Sequence, residues 1–249
     1  PDITYSFYDV WADLFRIPYK QMPLDENFRL KIDDYKGENG GIVFPNPNAP
    51  TGIYESLDHV EEIIKNNPDV IVIVDEAYID FGGETALPLI DKYDNLVVVR
   101  TFSKSRSMAG LRIGYAISNP ELIKALNDVK YSYNSYTMNR PSLVLGVESI
   151  HDDAYFREKV GQIIATRERF VKEIAELGFT CLPSSANFVF ATHESIPAKE
   201  IFAAAKENNI YVSYFDKPRI DNYLRISIGT DAEMDVFVSF LSKYVKEYK

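Results

Sequence analysis

Residues 70–78 read Val-Ile-Val-Ile-Val-Asp-Glu-Ala-Tyr, so five β-branched residues stand immediately before two acidic ones. A run of this kind, with no alternating polar residues, is typical of a strand that is buried on both faces of a parallel sheet. Residues 96–99 repeat the pattern, and residues 113–117 form a further candidate. The run Gly41-Ile-Val-Phe44 is also a predicted strand, and Pro45 stops it.

Helical patterns lie between these runs. Ser56 is placed to cap one helix, which Asn66-Asn67-Pro68 ends. Its apolar residues share one face: Leu57, Val60, Ile63 and Ile64. Asn119 and Pro120 begin another helix, with asparagine as the cap and proline at the first helical position. Strands that alternate with helices predict an α/β fold with a mainly parallel sheet.

From about Asp152 the pattern changes to one long amphipathic helix that ends at Gly178, followed by shorter elements. A helix starting at Pro197 separates the second and third of four predicted strands, which span residues 179–182, 187–191, 211–215 and 223–228. Thr230 and Glu233 form a capping box for the last helix. The predicted buried face of that helix comprises Val236, Phe237, Phe240, Leu241 and Tyr244. We therefore predict a large domain over residues 1–150 and a smaller α+β domain over residues 151–249.

The composition narrows the class of protein. The 249 residues are 46% hydrophobic and 26% charged, as in a globular domain with a sizeable core. The net charge of -10 argues against binding to nucleic acid or to an anionic membrane, because both need clustered lysine and arginine. No apolar stretch approaches the roughly 20 residues that cross a bilayer. We expect a cytoplasmic protein.

The cysteine and histidine content argues against an internal disulfide bond and against a metal site. Cys181 is the single cysteine, and its apolar flanks favour a buried, inert thiol. The three histidines, His59, His151 and His193, lack metal-ligand spacing, so we expect no metal site.

Polar side chains follow the predicted strands where each ends. Asp75 and Tyr78 follow one strand, and Ser103 and Lys104 follow another. Ligands bind outside the carboxyl ends of strands in open parallel sheets. A nucleophilic lysine must lose its proton, which a nearby cation such as Arg112 promotes.

The charges of these side chains would complement the charges of one ligand. The forked donors of Arg112 suit a phosphate. If Asp75 is buried, it needs a cationic partner, and a protonated pyridine nitrogen would serve. The sequence therefore predicts one cofactor that carries both a pyridine ring and a phosphate.

Six segments together resemble the fold-type I pyridoxal-phosphate aminotransferases, and most closely the histidinol-phosphate aminotransferases. In order they cover residues 1–8, 46–52, 75–78, 101–115, 184–188 and 211–230. The resemblance implies the PLP-transferase-like fold, a pyridoxal 5'-phosphate cofactor and a homodimer.

The resemblance also implies roles around the cofactor. Lys104 would hold the cofactor covalently and then move the proton between substrate and cofactor. Asp75 would pair with the pyridine nitrogen, and Tyr78 would donate to the phenolic oxygen. The remaining cofactor contacts would come from Tyr5 on the ring face, Ser103 and Arg112 on the phosphate, and Asn48 in the turn.

On the substrate side, Arg225 would clamp a carboxylate, and Asn187 would line the same pocket. Two departures from the relatives concern the site. Ala49 replaces an asparagine that binds the phenolic oxygen in many relatives, with Asn48 as the substitute. Ser213 replaces an arginine that helps to bind the substrate phosphate, and the expected replacement charge is Arg219 or Lys217.

The chain begins at Pro1 without an initiator methionine, so we expect a fragment. The relatives carry about a hundred further residues upstream, including a Gly/Ser-rich turn whose amides bind the phosphate. We therefore expect weaker cofactor binding than in a complete relative.

The resemblance implies transamination between histidinol phosphate and 2-oxoglutarate in histidine biosynthesis, with amino acids and 2-oxo acids as small-molecule substrates. Three alternatives stay open: an aromatic-amino-acid aminotransferase, a related phospho-amino-acid decarboxylase, and a non-catalytic fragment that acts only as a structural or partner-binding module.

Overall fold

The structure is a computed structural model and describes residues 1–248. Its first sheet has four strands in the spatial order in which they occur along the chain. They are β1 (Ile42–Pro45), β2 (Val72–Asp75), β3 (Leu96–Thr101) and β4 (Gly114–Ile117). The first three run parallel, and β4 pairs antiparallel with β3. The prediction of a mainly parallel sheet is confirmed.

The register aligns the ends of the parallel strands. Pro45 pairs with Asp75, and Asp75 pairs with Val99. The three carboxyl ends therefore lie at one edge of the sheet, and the polar residues that follow β2 and β3 leave the sheet side by side.

Four helices accompany this sheet: α1 (Phe7–Phe15), α2 (Leu57–Lys65), α3 (Pro120–Tyr133) and α4 (Arg140–His151). The Ser56 hydroxyl accepts a hydrogen bond from the His59 amide, and the Asn119 side chain accepts one from the Leu122 amide. Both predicted caps are confirmed. Helix α2 packs Val60, Ile63 and Ile64 against the sheet.

One face of the sheet is less covered than the pattern of β-branched residues predicts. Val72 and Val74 are fully buried, but Val43 is 37% exposed and Ile71 is 40% exposed. Burial on both faces was predicted for residues 70–74, and the prediction is wrong at Ile71, because no element within residues 1–248 covers that side chain.

The second sheet is fully antiparallel, in the order β5, β6, β8, β7. Its strands are β5 (Phe179–Cys181), β6 (Phe188–His193), β7 (Ser213–Tyr214) and β8 (Leu224–Ser227). The helices of this half are α5 (Asp153–Ala175), α6 (Ala198–Glu207) and α7 (Asp231–Glu247). All four predicted strands exist, although β7 is limited to two residues at the edge of the sheet.

Helix α7 begins with the predicted capping box. The Glu233 carboxylate accepts from the Thr230 amide at 2.7 Å, and the Thr230 hydroxyl accepts from the Glu233 amide at 3.3 Å. The predicted buried face is wrong at Val236, which is 62% exposed. Met234 is buried instead, because it shares one helical stripe with Phe237 and Leu241.

Helix α5 contacts the second sheet and the segment around Phe81 that follows β2. Phe170 and Ile174 belong to the core of the second sheet, while Val160 packs in a cluster with Phe81 beyond the first sheet. The buried Arg167 side chain donates to the carbonyls of Phe81 at 2.9 Å and Ala186 at 2.8 Å. The division at residues 150 and 151 stays a prediction. Within residues 1–248, no helix is long and apolar enough to cross a membrane.

Candidate active site

Asp75 is the last residue of β2 and lies half-buried at the edge where the parallel strands end. Its Oδ1 accepts from the Ala77 amide at 3.0 Å, and its Oδ2 accepts from the Tyr8 hydroxyl at 2.8 Å. Burial raises the pKa of Asp75, whereas the two hydrogen bonds and the charge of Lys104 oppose that rise. A further cation beside this carboxyl would stabilise its ionised form.

Lys104 lies in the loop that follows β3. Its Nζ is 5.2 Å from the ring centroid of Tyr78, close enough for a cation–π contact. Backbone bonds close the loop, because the Ser107 amide donates to Lys104 and the Met108 amide donates to Phe102, both at 3.0 Å. The structure thus brings Lys104 and Tyr78 together beside Asp75, as the positions after the strands predict.

A buried ion pair holds the β2 and β3 ends together. Glu76 follows Asp75 directly, and its Oε2 accepts from Nε of Arg100 at 3.0 Å and from Nη2 at 2.8 Å. On the other side of Lys104, the Ser105 hydroxyl donates to Asp80. The sequence analysis missed this network, because nothing in the local pattern pairs Glu76 with an arginine 24 positions away.

Ser103 and Arg112 lie on the two chain segments that extend the β3–β4 pair. The Phe102 amide donates to the Ile113 carbonyl at 3.0 Å, and the two predicted phosphate ligands flank this bond in sequence. Arg112 is exposed with φ of 55°, and its Nη1 donates to the Ala109 carbonyl at 3.0 Å. Among residues 1–248, the Arg112 guanidinium makes no other hydrogen bond.

Tyr5 packs in an aromatic cluster at the start of α1. Its ring is 43% exposed and lies 5.6 Å from Tyr8 and 6.1 Å from Trp11, edge to face in both cases. Through Tyr8 this cluster contacts Asp75. An exposed ring at this place is compatible with the predicted stacking role.

Asn48 is buried with its amide group fully engaged. Its Nδ2 donates to the Ile3 carbonyl and to the Thr51 hydroxyl, each at 3.0 Å, and its Oδ1 accepts from Thr4 at 3.0 Å. In this structure Asn48 holds the turn against the amino-terminal segment. Its role as a donor to the cofactor stays a prediction that would require one of these bonds to be exchanged.

Arg225 lies on β8 between two aromatic rings. Its guanidinium carbon is 5.3 Å from the Phe188 centroid and 5.8 Å from the Phe215 centroid. Nη2 reaches the Ser213 hydroxyl at 3.4 Å, but Nε is buried and has no hydrogen-bond partner among residues 1–248. A buried guanidinium N–H without an acceptor is uncommon in folded proteins, and the binding of a substrate carboxylate by Arg225 stays a prediction.

Phe188 connects this arginine to the lysine. Its ring lies edge to face with Tyr78 at 5.2 Å, so Lys104, Tyr78, Phe188 and Arg225 form a continuous series of contacts. The neighbouring residue, Asn187, accepts from the Ile228 amide through its carbonyl at 2.9 Å. Asn187 therefore lies beside Phe188 at the start of β6, and its role in a substrate pocket stays a prediction.

Arg219, one of the two expected replacements for the missing phosphate ligand, is engaged elsewhere in this structure, and its role stays a prediction. Arg219 donates to the carbonyls of Leu24, at 3.0 Å, and Asp25, contacts the Asp2 carboxylate at 3.4 Å, and stacks over Phe28. These contacts hold the amino-terminal segment against the second half. Lys217 is exposed and stays the predicted alternative.

The donor set fits pyridoxal 5'-phosphate. The half-buried carboxyl of Asp75 suits a protonated ring nitrogen, Lys104 is the amine beside it, and the exposed Arg112 has guanidinium N–H groups that suit a phosphate. The phosphate role of Ser103 stays a prediction. Arg225, with its unpaired Nε, lies at the far end of the same contact series.

Comparison with known proteins agrees with this geometry. The family model described as Aminotransferase class I and II matches residues 1–241. The histidinol-phosphate aminotransferase of Lactococcus lactis subsp. cremoris (strain SK11) is 51% identical over 246 residues, which cover 99% of this chain and 69% of that protein. The histidinol-phosphate aminotransferase of Clostridium botulinum (strain 657 / Type Ba4) is 49% identical, again over 99% of this chain and over 70% of that protein.

A solved structure gives the same fold. Histidinol-phosphate aminotransferase from Sinorhizobium meliloti, crystallised in complex with pyridoxal-5'-phosphate, superposes with a TM-score of 0.87. The match covers 99% of this chain and 69% of that chain at 23% identity.

Proposed function

The chain belongs to the class I and II aminotransferases, and from that premise we propose that it transfers an amino group between histidinol phosphate and 2-oxoglutarate in histidine biosynthesis. The observation that carries this proposal is 51% identity to a histidinol-phosphate aminotransferase over 99% of the chain. Pyridoxal 5'-phosphate is the proposed cofactor, supported by the donor set around Lys104 and by the cofactor in the Sinorhizobium meliloti relative.

When bound, pyridoxal phosphate supplies an electron sink for the pair of electrons that a departing proton leaves on the substrate carbon. The side chains of the protein bind the cofactor and move the proton. Asp75 holds the ring nitrogen in its protonated form, and Ser103 with Arg112 anchors the phosphate. Lys104 carries the proton to and from the substrate carbon, because its amine is the basic group beside Asp75 and Tyr78.

Arg225 would bind the anionic end of each substrate. 2-Oxoglutarate presents a carboxylate beside its reacting carbon, whereas histidinol phosphate presents a phosphate ester at that end. The planar fork of a guanidinium suits either anion. Ser213 adds a hydroxyl next to Arg225 in place of a second charge.

We also propose a homodimer in the cytoplasm. Three helices expose large apolar side chains that a monomer would leave in water. On α1 these are Phe7, Val10, Trp11, Leu14 and Phe15; on α3 they include Leu126 and Val129; on α4 they are Leu143, Val144, Leu145, Val147 and Ile150. Light scattering of the purified protein should give twice the chain mass, and a monomer at micromolar concentration would refute this part.

The function is tested with purified protein, saturating pyridoxal phosphate and 2-oxoglutarate. Histidinol phosphate, phenylalanine and threonine phosphate are offered in turn, with glutamate formation and carbon dioxide release as readouts. We expect glutamate from histidinol phosphate at the highest kcat/KM. Glutamate from phenylalanine alone, or carbon dioxide from threonine phosphate, would instead support the aromatic aminotransferase or the decarboxylase.

A further inference from the structure

Tyr8 makes a contact with the site that neither the motifs nor the comparisons assign. Its hydroxyl donates to Oδ2 of Asp75 at 2.8 Å, across 67 positions of the chain. The other carboxylate oxygen accepts from the Ala77 amide at 3.0 Å. Each oxygen of the Asp75 carboxylate therefore receives one hydrogen bond, and both bonds fix the plane of the group.

The Tyr8 hydroxyl can act only as a donor to this carboxylate. Burial, followed by the charge of Asp75 and the hydrogen bond itself, raises the pKa of Tyr8 above its ordinary range. The phenol consequently keeps its proton at neutral pH. A carboxyl group that accepts bonds from permanent donors is favoured in its ionised form.

The backbone and the neighbouring rings hold Tyr8 in place. Tyr5 and Tyr8 are three residues apart at the start of α1, and their rings meet at 5.6 Å with an angle of 86° between planes. Trp11, one further turn along, packs against Tyr8 at 5.8 Å. The turn that presents the predicted stacking ring of Tyr5 thus also delivers a hydroxyl to Asp75.

We propose that Tyr8 is a positioning residue that orients the Asp75 carboxylate and keeps it ionised, so that Asp75 can hold a protonated ring nitrogen. The pairing of Asp75 with a ring nitrogen rests on the proposed function. The orientation and ionisation of Asp75 concern only the chain's own residues. Without the Tyr8 donor, a half-buried Asp75 would take up a proton more readily and would pair less well with a cation.

The test compares Tyr8→Phe with Tyr93→Phe. Tyr93 is a matched control, because its hydroxyl also donates to a carboxylate, that of Glu61, at 3.0 Å. Both substitutions keep the ring and remove one tyrosine-to-carboxylate hydrogen bond. In cofactor-free protein, carboxyl-carbon NMR follows the titration of Asp75, assigned with Asp75→Asn. We expect the Asp75 pKa to be higher in Tyr8→Phe and unaltered in Tyr93→Phe. An Asp75 titration identical to wild type in Tyr8→Phe would overturn the proposal.

A second measurement connects the hydrogen bond to the cofactor. The dissociation constant of pyridoxal phosphate is measured by absorbance for the wild type and both variants. We expect binding about tenfold weaker in Tyr8→Phe and unchanged in Tyr93→Phe, because a hydrogen bond to a charged group is lost. Equal binding in Tyr8→Phe would mean that Tyr8 does not contribute to cofactor binding, and tighter binding would mean that Tyr8 competes with the cofactor; either result contradicts the proposal. A wild type that binds no pyridoxal phosphate would refute the proposed function, while the Asp75 titration would still decide the role of Tyr8.

Discussion

The two sheets of this molecule differ in what their side chains do. The β1–β4 sheet ends in ionisable groups, and two of the helices beside it, α1 and α3, contain no buried residue. The β5–β8 sheet is covered by α5, α6 and α7, whose side chains close a core around Phe170, Ile174 and Leu241. The first half places charge where a ligand can meet it, and the second half supplies packing.

This difference predicts opposite responses to substitution. At Asp75 and Lys104, a change should alter binding or turnover and leave the free energy of unfolding nearly constant or higher. In the core of the second sheet, a change should lower the free energy of unfolding. One contact between the two halves is that of Phe188, which lies beside Arg225 on the packed sheet, with Tyr78.

The largest effect is expected at Lys104. Lys104→Ala should reduce glutamate formation from histidinol phosphate by at least about 10³-fold, because both the covalent anchor and the proton carrier are lost. The melting temperature of the cofactor-free protein should not fall. Lys92→Ala is the control, since Lys92 is an exposed lysine paired with Glu61. Turnover by Lys104→Ala close to the Lys92→Ala value would contradict the assignment.

The second effect tests the packed half. Leu241→Ala should lower the free energy of unfolding by about 2–5 kcal/mol, because it opens a cavity in a fully buried position. Val236→Ala, on the same helix but exposed, should change it by less than about 0.5 kcal/mol. Urea denaturation of both variants measures the difference. Equal losses would show that α7 does not pack as described.

The third effect falls on Asp75, where binding and stability should change in opposite directions. Asp75→Asn should weaken pyridoxal phosphate binding by about 10²-fold, because the partner of the ring nitrogen loses its charge. Burial raises the native pKa of Asp75 above its ordinary value of 3.8, so the folded protein binds a proton more tightly than the unfolded chain. The cofactor-free wild type should therefore lose stability as the pH rises from about 3.8 through the native pKa.

Asp75→Asn should lack that loss and be the more stable protein at neutral pH. Urea denaturation at several pH values checks this sign. If the free energy of unfolding of the wild type increased relative to that of Asp75→Asn over the same pH range, the ionised Asp75 carboxylate would not destabilise the cofactor-free protein.

The smallest effect compares one type of cap in both halves. Thr230→Ala and Ser56→Ala each remove a hydroxyl that accepts from a helix amide, and each should cost about 1 kcal/mol of unfolding free energy. Thr230 also takes part in a reciprocal bond with Glu233, so its loss should be the larger of the two. The reverse order would mean that the α2 cap matters more to the fold than the complete capping box.

Sequence patterns predicted the features that depend on local chemistry. The caps at Ser56, Asn119 and Thr230 and the runs that became β1, β2 and β3 follow from neighbours within a few residues. The antiparallel direction of β4 and the exposure of Val43 depend on which segments meet in space, and no local pattern records that.

The candidate site follows the same rule. Lys104, Tyr78 and Asp75 could be placed together because parallel strands end at one edge. The bond from Tyr8 to Asp75 and the engagement of Arg219 with the amino-terminal segment link residues far apart in sequence, so they emerged only from the folded chain. The sequence signal for Tyr8 was its place in residues 1–8, one of the six segments that carry the family resemblance.

The most direct test of the central claim asks where pyridoxal phosphate attaches. The protein is incubated with pyridoxal phosphate, reduced with borohydride to make any lysine attachment permanent, digested, and mapped by mass spectrometry. We predict one dominant modified residue, Lys104, and loss of that modification in Lys104→Ala with the other lysines unchanged. Equal labelling of several exposed lysines, or labelling that persists in Lys104→Ala, would contradict the account.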